Sequence, residues 1–326
     1  MNNQQEEGQK SKFQSKIFAI LALLIACFIL SFVPIFTKWS EQEISPTATV
    51  FDRFFITIII FGLDNRFDFL QTQRTSNRSL GSQFNFRKTF LLLLGAGICS
   101  TINQMSWAWS ITQTNISNSA FFHGLTPLFT TLFAWLFLAR GCDRQFFIGM
   151  VIAIGGSIAI GLGEIQIATT KLQGDGLALL SAIFFGLYLL IVERLRQNLS
   201  VSSILFWRCL CCILFLLPIL LFTHDQIMPT SETGWLAVAG LSLTFVIGHG
   251  LLTYTLNILS SSLVAVVLLL EPFLSSMQAW IFFAEKLSLL EGISFAIVTL
   301  GIYLTLSSPS PEVQEETLLL FQEEKQ

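Results

Sequence analysis

Long apolar runs follow one another along this chain, and each is long enough for a helix to cross a lipid bilayer. A hydrocarbon core of about 30 Å is spanned by about 20 helical residues, and the runs are about 18 to 24 residues long. We place ten of them, near residues 16–36, 46–63, 89–111, 117–138, 145–163, 174–193, 201–222, 234–257, 262–283 and 288–307. Helices satisfy their own backbone hydrogen bonds, which hydrocarbon cannot do. The sequence therefore predicts an all-α polytopic membrane protein with ten transmembrane helices.

Composition supports a membrane protein and argues against several other classes. Of the 326 residues, 53% are hydrophobic and 12% are charged, whereas soluble domains carry about 25% charged residues. The formal net charge of −3 and the lack of a basic patch give no indication of nucleic-acid binding. The six cysteines lie mostly inside apolar runs, with no histidine beside them to complete a metal site. We therefore predict neither a metal nor another cofactor.

The apolar runs divide the chain into four regions. They are a disordered N-terminal segment (1–15), a first group of five spans (16–163), a second group of five spans (164–307) and a polar C-terminal tail (308–326). Lysine and arginine set the orientation, because they concentrate in cytoplasmic loops. With the N-terminus inside, thirteen of them fall in cytoplasmic segments and three in outside loops. We therefore expect both termini to be cytoplasmic, and we take the plasma membrane as the expected location.

The two groups of five spans are repeats of one another. From the third span onward, an offset of 145 residues aligns Gln104 with His249. The first two spans need an offset of 155 residues, which aligns Arg53 with Arg208. One difference of ten residues in the loop at 64–88 reconciles the two offsets. Matched arginines inside apolar runs are uncommon by chance, so we infer a true internal repeat.

Five spans in each repeat is an odd number, so the second repeat must enter the membrane from the opposite side. Inverted repeats of this kind recur in secondary transporters, with the solute site near the bilayer midplane at the interface of the repeats. We therefore predict two inverted five-helix repeats that open either side of the membrane by changing how they pack against each other.

The ninth span carries a carboxylate, Glu271, beside Pro272 in the middle of an otherwise apolar stretch. A charge at this depth is costly and usually faces a wet, protein-lined interior. Proline frees a backbone carbonyl one turn earlier and allows a bend. The repeat places Thr126 and Pro127 at the matching positions of the fourth span.

Six stretches spread over both repeats carry a family resemblance. They read S-P-T-A-T-V-F-D-R-F-F (45–55), W-A-W-S-I-T-Q-T-N (107–115), G-L-T-P-L-F-T-T-L-F-A-W-L-F (124–137), W-R-C-L (207–210), T-Y-T-L-N-I-L-S-S-S-L-V-A-V-V-L-L-L-E-P-F (253–273) and A-E-K-L-S (284–288). The chain resembles the EamA-like branch of the drug/metabolite transporter superfamily, apart from its two tails. The resemblance implies export of amino acids or related metabolites. The family often closes the fourth span of each repeat with glutamate, and this chain has Glu285 in the second repeat but Arg140 in the first.

Four spans carry polar residues at helical spacing, in positions that are matched between the repeats. These faces are Ser100, Gln104 and Trp107 on the third span, Ser119, His123, Thr126 and Thr130 on the fourth, His249, Thr253 and Asn257 on the eighth, and Glu271, Ser275 and Gln278 on the ninth. They predict a hydrated cavity or, alternatively, hydrogen bonds that hold the helices together. Our candidate solute-binding residues are Gln104, Trp107, His123, Thr126, His249, Thr253, Tyr254, Glu271 and Ser275.

Three charged residues inside the spans, Arg53, Arg208 and Glu271, are candidates for coupling or for a structural role. Arginine can hold a solute carboxylate with two parallel hydrogen bonds, or it can tie a helix to its neighbour. Glu271 can exchange a proton, and the alternative is a fixed ion pair with either arginine. Asp52 points to a different helical face from Arg53, so we do not expect these neighbours to pair.

These observations predict a secondary transporter that moves a small metabolite, such as an amino acid or a related amphipathic solute, by alternating access. Proton coupling is a hypothesis that rests on Glu271 and His249. The alternative function is a non-transporting membrane scaffold or a lipid scramblase. We do not expect an enzyme, because the sequence shows no Walker loop, paired zinc ligands or nucleophile elbow. The expected partners are a small-molecule solute and the lipid bilayer, with a homodimer left open and no nucleic acid.

Overall fold

The computed structural model describes residues 2–75, 86–114, 119, 122–141, 143–161, 172–223, 226–283 and 289–308. Every regular element in these ranges is a helix, which confirms the all-α class. The first half contains α1 (Asn2–Leu30), α2 (Val33–Ser40), α3 (Pro46–Thr75), α4 (Phe86–Gln113), α5 (Thr126–Leu138) and α6 (Arg144–Gly161). The second half contains α7 (Leu172–Arg196), α8 (Val201–Thr223), α9 (Glu232–Thr244), α10 (Gly250–Thr255), α11 (Ser261–Val267), α12 (Glu271–Phe283) and α13 (Leu289–Leu306).

Six helical stretches of the described chain are long and apolar enough to cross a membrane. They are Gln14–Ser40, Arg87–Gln113, Leu172–Arg196, Val201–Thr223, Glu232–Thr255 and Ser261–Gln278. Three apolar helices are shorter, namely Thr126–Leu138, Arg144–Ala159 and Gly292–Leu306. Large apolar side chains cover the outer surface, such as Phe222 (85% exposed) and Leu236 (69% exposed), as expected where helices face lipid. The fold is that of a multi-pass membrane protein, and the count of ten spans stays a prediction.

The eighth and ninth predicted spans are each interrupted near the middle. A 3-10 turn, Leu268–Leu270, separates α11 from α12 immediately before Glu271. Pro272 has no N–H group to bond the carbonyl of Leu268 one turn earlier, so the regular ladder of helical hydrogen bonds is broken there. A π-helical segment, Phe245–His249, separates α9 from α10. Such single π-turns recur at functional sites, and His249 is the last residue of this one.

The helices pack in a pattern that is symmetric between the two halves. α4 of the first half packs against α7 of the second half. In the second half, α9 and α10 together match α4, and they pack against α2 and α1, which match α7. α3 packs against its match α8, and α6 packs against its match α13. Exchanging the two halves therefore reproduces the same principal helix neighbours. This is the two-repeat architecture that the sequence offsets predicted.

The matched helices α6 and α13 approach closely at glycines. A Cβ atom added to Gly301 would stand 2.4 Å from the backbone nitrogen of Ala153 and 2.6 Å from the carbonyl oxygen of Gly149. A Cβ atom added to Gly156 would stand 2.8 Å from the backbone nitrogen of Val298. The repeat aligns Gly156 with Gly301, and both lie at this crossing. Small residues are therefore what allows the fifth and tenth spans to meet.

A carboxylate in the connection between α2 and α3 ties the start of α9 to the first half. Glu43 accepts hydrogen bonds from the backbone N–H groups of Thr230 and Ser231, both at 3.1 Å, and from the Ser231 hydroxyl. The Ser231 side chain also caps α9 by accepting a hydrogen bond from the N–H of Gly234 at 3.0 Å. Donation by Ser231, first of all by its hydroxyl, lowers the pKa of Glu43 below its ordinary value.

Candidate solute-binding site

Two buried arginines lie side by side between the halves, one contributed by each. Arg53 projects from α3 and Arg208 from α8, and their side chains are 5% and 1% exposed. The guanidinium carbon of Arg53 is 5.0 Å from the centroid of the Phe54 ring and 5.5 Å from that of Phe245. The guanidinium carbon of Arg208 is 5.9 Å and 4.7 Å from the same two centroids. Both cations therefore lie over one pair of aromatic rings, where the negative ring faces attract them.

Neutral side chains hold the two arginines in place, and two of those contacts occupy equivalent positions in the two repeats. Nη2 of Arg53 donates a hydrogen bond to Oε1 of Gln104 at 2.9 Å. Nη1 of Arg208 bonds Nδ1 of His249 at 3.1 Å. Since the sequence aligns Arg53 with Arg208 and Gln104 with His249, these are the same contact made once in each half. A guanidinium can only donate, so His249 accepts through Nδ1 and is neutral in this arrangement.

Arg208 has two further partners. Its Nε donates to Oγ of Ser100 at 2.5 Å, and its Nη1 donates to the hydroxyl of Tyr188 at 3.0 Å. The guanidinium carbon also stands 4.4 Å from the centroid of the Tyr188 ring. We call Arg53, Gln104, Arg208, His249, Ser100, Tyr188, Phe54 and Phe245 the arginine cluster.

No carboxylate of the described residues touches either arginine of this cluster. Asp52 is buried, and its Oδ2 has no hydrogen-bond partner among the described residues. Among the described residues, Glu271 forms no ion pair with Arg53 or Arg208, the alternative that the sequence left open. Within the described chain, Nη2 of Arg208 and Nε of Arg53 are buried and have no hydrogen-bond partner. The cluster therefore combines two positive charges with unused hydrogen-bond donors.

Glu271 and Ser275 lie on the α12 face that meets α1. Oγ of Ser275 donates to the carbonyl of Ser31 at 2.9 Å. One turn before Glu271, the carbonyl of Val267 accepts a hydrogen bond from Sγ of Cys27 at 3.7 Å. Ser275 thus takes part in a helix-to-helix hydrogen bond, the alternative that the sequence left open.

His123 and Thr126 make no hydrogen bond to Arg53 or Arg208 in the described chain, and an aromatic ring lies between His123 and the arginine cluster. Nδ1 of His123 is 3.0 Å from Oγ of Ser181, and the His123 ring stacks on Phe185 with centroids 5.5 Å apart. Phe185 in turn stacks on Tyr188 at 6.1 Å. Among the described residues, the Phe185 ring thus lies between His123 and Tyr188 of the arginine cluster. Thr126 donates to the carbonyl of His123 at 2.6 Å, within its own chain segment.

The remaining candidates do not join the arginine cluster. Tyr254 is 42% exposed on the outer surface of α10. Thr253 is buried, and its hydroxyl has no partner among the described residues. Trp107 is half-buried on α4. Of the predicted solute-binding residues, only Gln104 and His249 are seen to contact the arginines in the described chain.

Tyr188, Phe54 and Phe245 were missed by the sequence analysis. Tyr188 is one of three tyrosines in the chain and lies inside an apolar run. Its hydroxyl needs a hydrogen-bond partner when buried, which is a signal that could have directed attention to a polar neighbour. Phe54 and Phe245 are two of 32 phenylalanines, and nothing in the sequence distinguishes them from lipid-facing ones.

A third arginine, Arg140, lies just after the end of α5 in a different environment. Nη1 of Arg140 donates to Oε1 of Glu193 near the end of α7. Oε2 of Glu193 accepts a hydrogen bond from the backbone N–H of Ser261, at the start of α11, at 2.8 Å. The carboxylate therefore neutralises Arg140 and interacts favourably with the positive end of α11. We call this the edge pair; Glu285, which the repeat aligns with Arg140, lies outside the described residues.

Comparisons with known proteins agree with this arrangement of two halves. A family model described as the EamA-like transporter family matches residues 17–162 and again residues 172–307. A solved structure described as "Crystal structure of protein" superposes with a TM-score of 0.72 at 14% sequence identity, over 88% of this chain and 96% of that chain. At this identity the likeness shows the fold alone. No curated protein matches the chain.

Proposed function

Because the chain belongs to the EamA-like transporter family, we propose that it is a secondary carrier that moves a small metabolite, such as an amino acid or a related amphipathic solute. The carrier has ten spans in two inverted five-helix repeats and works by alternating access. The two family matches and the symmetric helix packing support this proposal. Solute sites in inverted-repeat carriers form where the repeats meet.

The arginine cluster is the observation that carries the proposal. It lies between the halves, because Arg53 and Gln104 come from the first repeat and Arg208 and His249 from the second. A scaffold would have no need to bury two arginines without an acidic partner. A carrier needs polar groups that become satisfied when a solute arrives.

Direction and coupling are the finer parts of the proposal. We propose export, on the basis of the family resemblance. We propose proton coupling through Glu271, which begins α12 beside the helical interruption at Leu268–Leu270. If Glu271 carries the proton, Glu271→Gln will make flux in proteoliposomes independent of an imposed pH gradient. Flux that keeps its full pH dependence in this variant excludes Glu271 from coupling.

Topology is proposed from the distribution of lysine and arginine, with both termini cytoplasmic in the plasma membrane. Reporter fusions at each terminus test this orientation, because a fluorescent protein and a periplasmic enzyme are active on opposite sides. Activity of the same reporter at both termini, on the cytoplasmic side, is the expected result. Opposite sidedness of the two termini would contradict an even number of spans.

Counterflow in proteoliposomes tests the carrier function. Purified protein is reconstituted with an excess of unlabelled amino acid inside, and the entry of trace labelled amino acid is followed. Transient accumulation of label above equilibrium is expected of a carrier, because the site must return loaded. Lipid scrambling without solute accumulation, across a panel of amino acids and related metabolites, would favour the scramblase alternative instead.

A further inference from the structure

We propose that Arg53 and Arg208 together bind the anionic group of the solute, so that the substrate class is organic anions, including zwitterions with a free carboxylate. The inference rests on the proposed carrier function and names the chemistry of its site. The observation that supports it first is the positive charge of the cluster. The two guanidinium groups lie over the same aromatic rings, and no described carboxylate contacts them.

Two like charges in a buried site are costly unless something neutralises them. Arginine keeps its proton under physiological conditions, so the pair cannot reduce this cost by ionisation change as lysine or histidine can. The hydrogen bonds to Gln104, Ser100, Tyr188 and His249 satisfy donors but supply no negative charge. A bound anion would supply it, and charge-assisted hydrogen bonds of this kind are about twice as strong as neutral ones.

Unused donors remain on both arginines. Nη2 of Arg208 and Nε of Arg53 are buried, and no described residue accepts a hydrogen bond from either. Buried polar atoms are normally satisfied in folded proteins, so exceptions mark strain or a binding site. Two of the seven such side-chain atoms in the described chain lie on neighbouring cations that come from opposite halves. Both point to the same kind of missing partner, an oxygen acceptor that carries negative charge.

The aromatic rings explain how the arginines stay available. Phe54, Phe245 and Tyr188 flank the guanidinium planes with centroid distances between 4.4 and 5.9 Å. These contacts stabilise the cations without occupying their in-plane N–H groups. The rings also offer an apolar surface for the hydrocarbon part of an amphipathic solute.

The position of the two arginines also links binding to transport. Arg53 and Arg208 lie on α3 and α8, which are matched helices of the two repeats and pack against each other. A movement of one repeat against the other changes the separation of the two cations. The affinity for an anion that contacts both will therefore change between conformations, which is what a carrier requires to release its solute.

Equilibrium binding to the purified full chain tests the anion site. The probes are three pairs in which one member loses the anionic group: leucine and leucinamide, succinate and succinamide, glycerol 3-phosphate and glycerol. Binding is measured by calorimetry and by thermal shift at constant ionic strength. We expect at least one anion to bind and to exceed its partner by about 30-fold or more in affinity, as expected when a buried charge contact is lost.

Variants assign that preference to the cluster. Arg53→Gln and Arg208→Gln should each lower the affinity for the bound anion by about 30-fold or more. Arg53→Lys keeps the positive charge and should lose less affinity than Arg53→Gln. This comparison distinguishes loss of the charge from poor folding of the glutamine variant. Arg140→Gln is the matched control, because this arginine has its own acidic partner, and it should change affinity by less than about threefold.

The outcomes separate this inference from the carrier proposal. Four results would overturn the anion site. Two of them are equal binding of a charged probe and its partner without the anionic group, and binding only of probes without that group. The other two are no binding of any anion of the panel, and an anion affinity that is unchanged in both glutamine variants. If an anion binds as expected but never accumulates in counterflow, the anion site stands and the carrier function fails. If instead a cationic or neutral solute accumulates in counterflow at a rate that neither glutamine variant changes, the carrier function stands and the anion site fails.

Discussion

Arg208 in the arginine cluster and Arg140 in the edge pair both join the two halves of the molecule, but their partners differ in kind. Arg140 bonds Glu193, and the same carboxylate caps α11 through Ser261. Arg208 is 1% exposed and bonds only neutral groups in the described chain. The edge pair contains its own carboxylate, whereas no carboxylate of the described residues contacts the arginines of the cluster. We infer from this difference that Arg140 holds helices together and that Arg208 binds a ligand that is released during transport.

The largest expected effect is on solute binding when Arg208 is changed. Arg208→Gln removes the cation that has the most contacts in the cluster, so we expect flux of an anionic solute to fall about 100-fold or more. Flux is measured in proteoliposomes at matched protein density, with the folded fraction determined by size-exclusion chromatography. A well-folded Arg208→Gln variant that transports at the unaltered rate would remove the contrast between the two arginines.

Glu193→Gln should have the next largest effect, and it should act on stability. The change leaves Arg140 unpaired and weakens the cap of α11, at a cost of about 1–3 kcal/mol after allowance for the partial exposure of Arg140. We expect the unfolding temperature to fall by roughly 2–6 °C. Solute affinity should stay the same, and an affinity loss as large as that of Arg208→Gln would show that the edge pair is not merely structural.

Arg53→Met should have a small effect in the opposite direction. Removing one of two neighbouring buried cations relieves repulsion, and half-buried Gln104 can hydrogen-bond water instead. We therefore expect the solute-free protein to keep its unfolding temperature or to gain about 1 kcal/mol of stability. Replacing a binding residue often stabilises a protein in this way while it removes function. Arg140→Met is the matched comparison and should destabilise, because it strands Glu193. A clear loss of stability in Arg53→Met would mean that the cluster is a structural tie like the edge pair.

The smallest effect is expected from His249→Gln. The first repeat already uses glutamine at this position, since Gln104 contacts Arg53 as His249 contacts Arg208. A glutamine oxygen can replace Nδ1 as the acceptor, so solute affinity should change by less than about threefold. Titration calorimetry on the variant checks this. A change comparable to that of Arg208→Gln would give His249 a role that the repeat does not predict.

The sequence predicted the membrane class and the two repeats because each rests on a pattern along the chain. The offsets align Arg53 with Arg208 and Gln104 with His249, and the structure shows that the arginine of each half contacts the aligned residue of its own half. The helical interruption beside Glu271 followed from Pro272. These features depend on local chemistry or on repetition, and both are visible in one sequence.

Other features could not be predicted, because they depend on which helices meet. Tyr188 reaches Arg208 from a helix whose own pattern shows only an apolar run, and Glu193 reaches Arg140 across 53 positions of sequence. Glu271 drew attention as a charge at membrane depth, yet it contacts neither arginine in the described chain. The depth of a charge can be read from a sequence, but its neighbours are fixed by the packing of distant helices.

A structure determined with a transported solute bound decides whether arginines from both halves hold the anion. We expect oxygens of the anionic group within about 3 Å of guanidinium nitrogens of both Arg53 and Arg208. A solute whose anionic group touches neither arginine, or that binds away from the boundary between the halves, would contradict it.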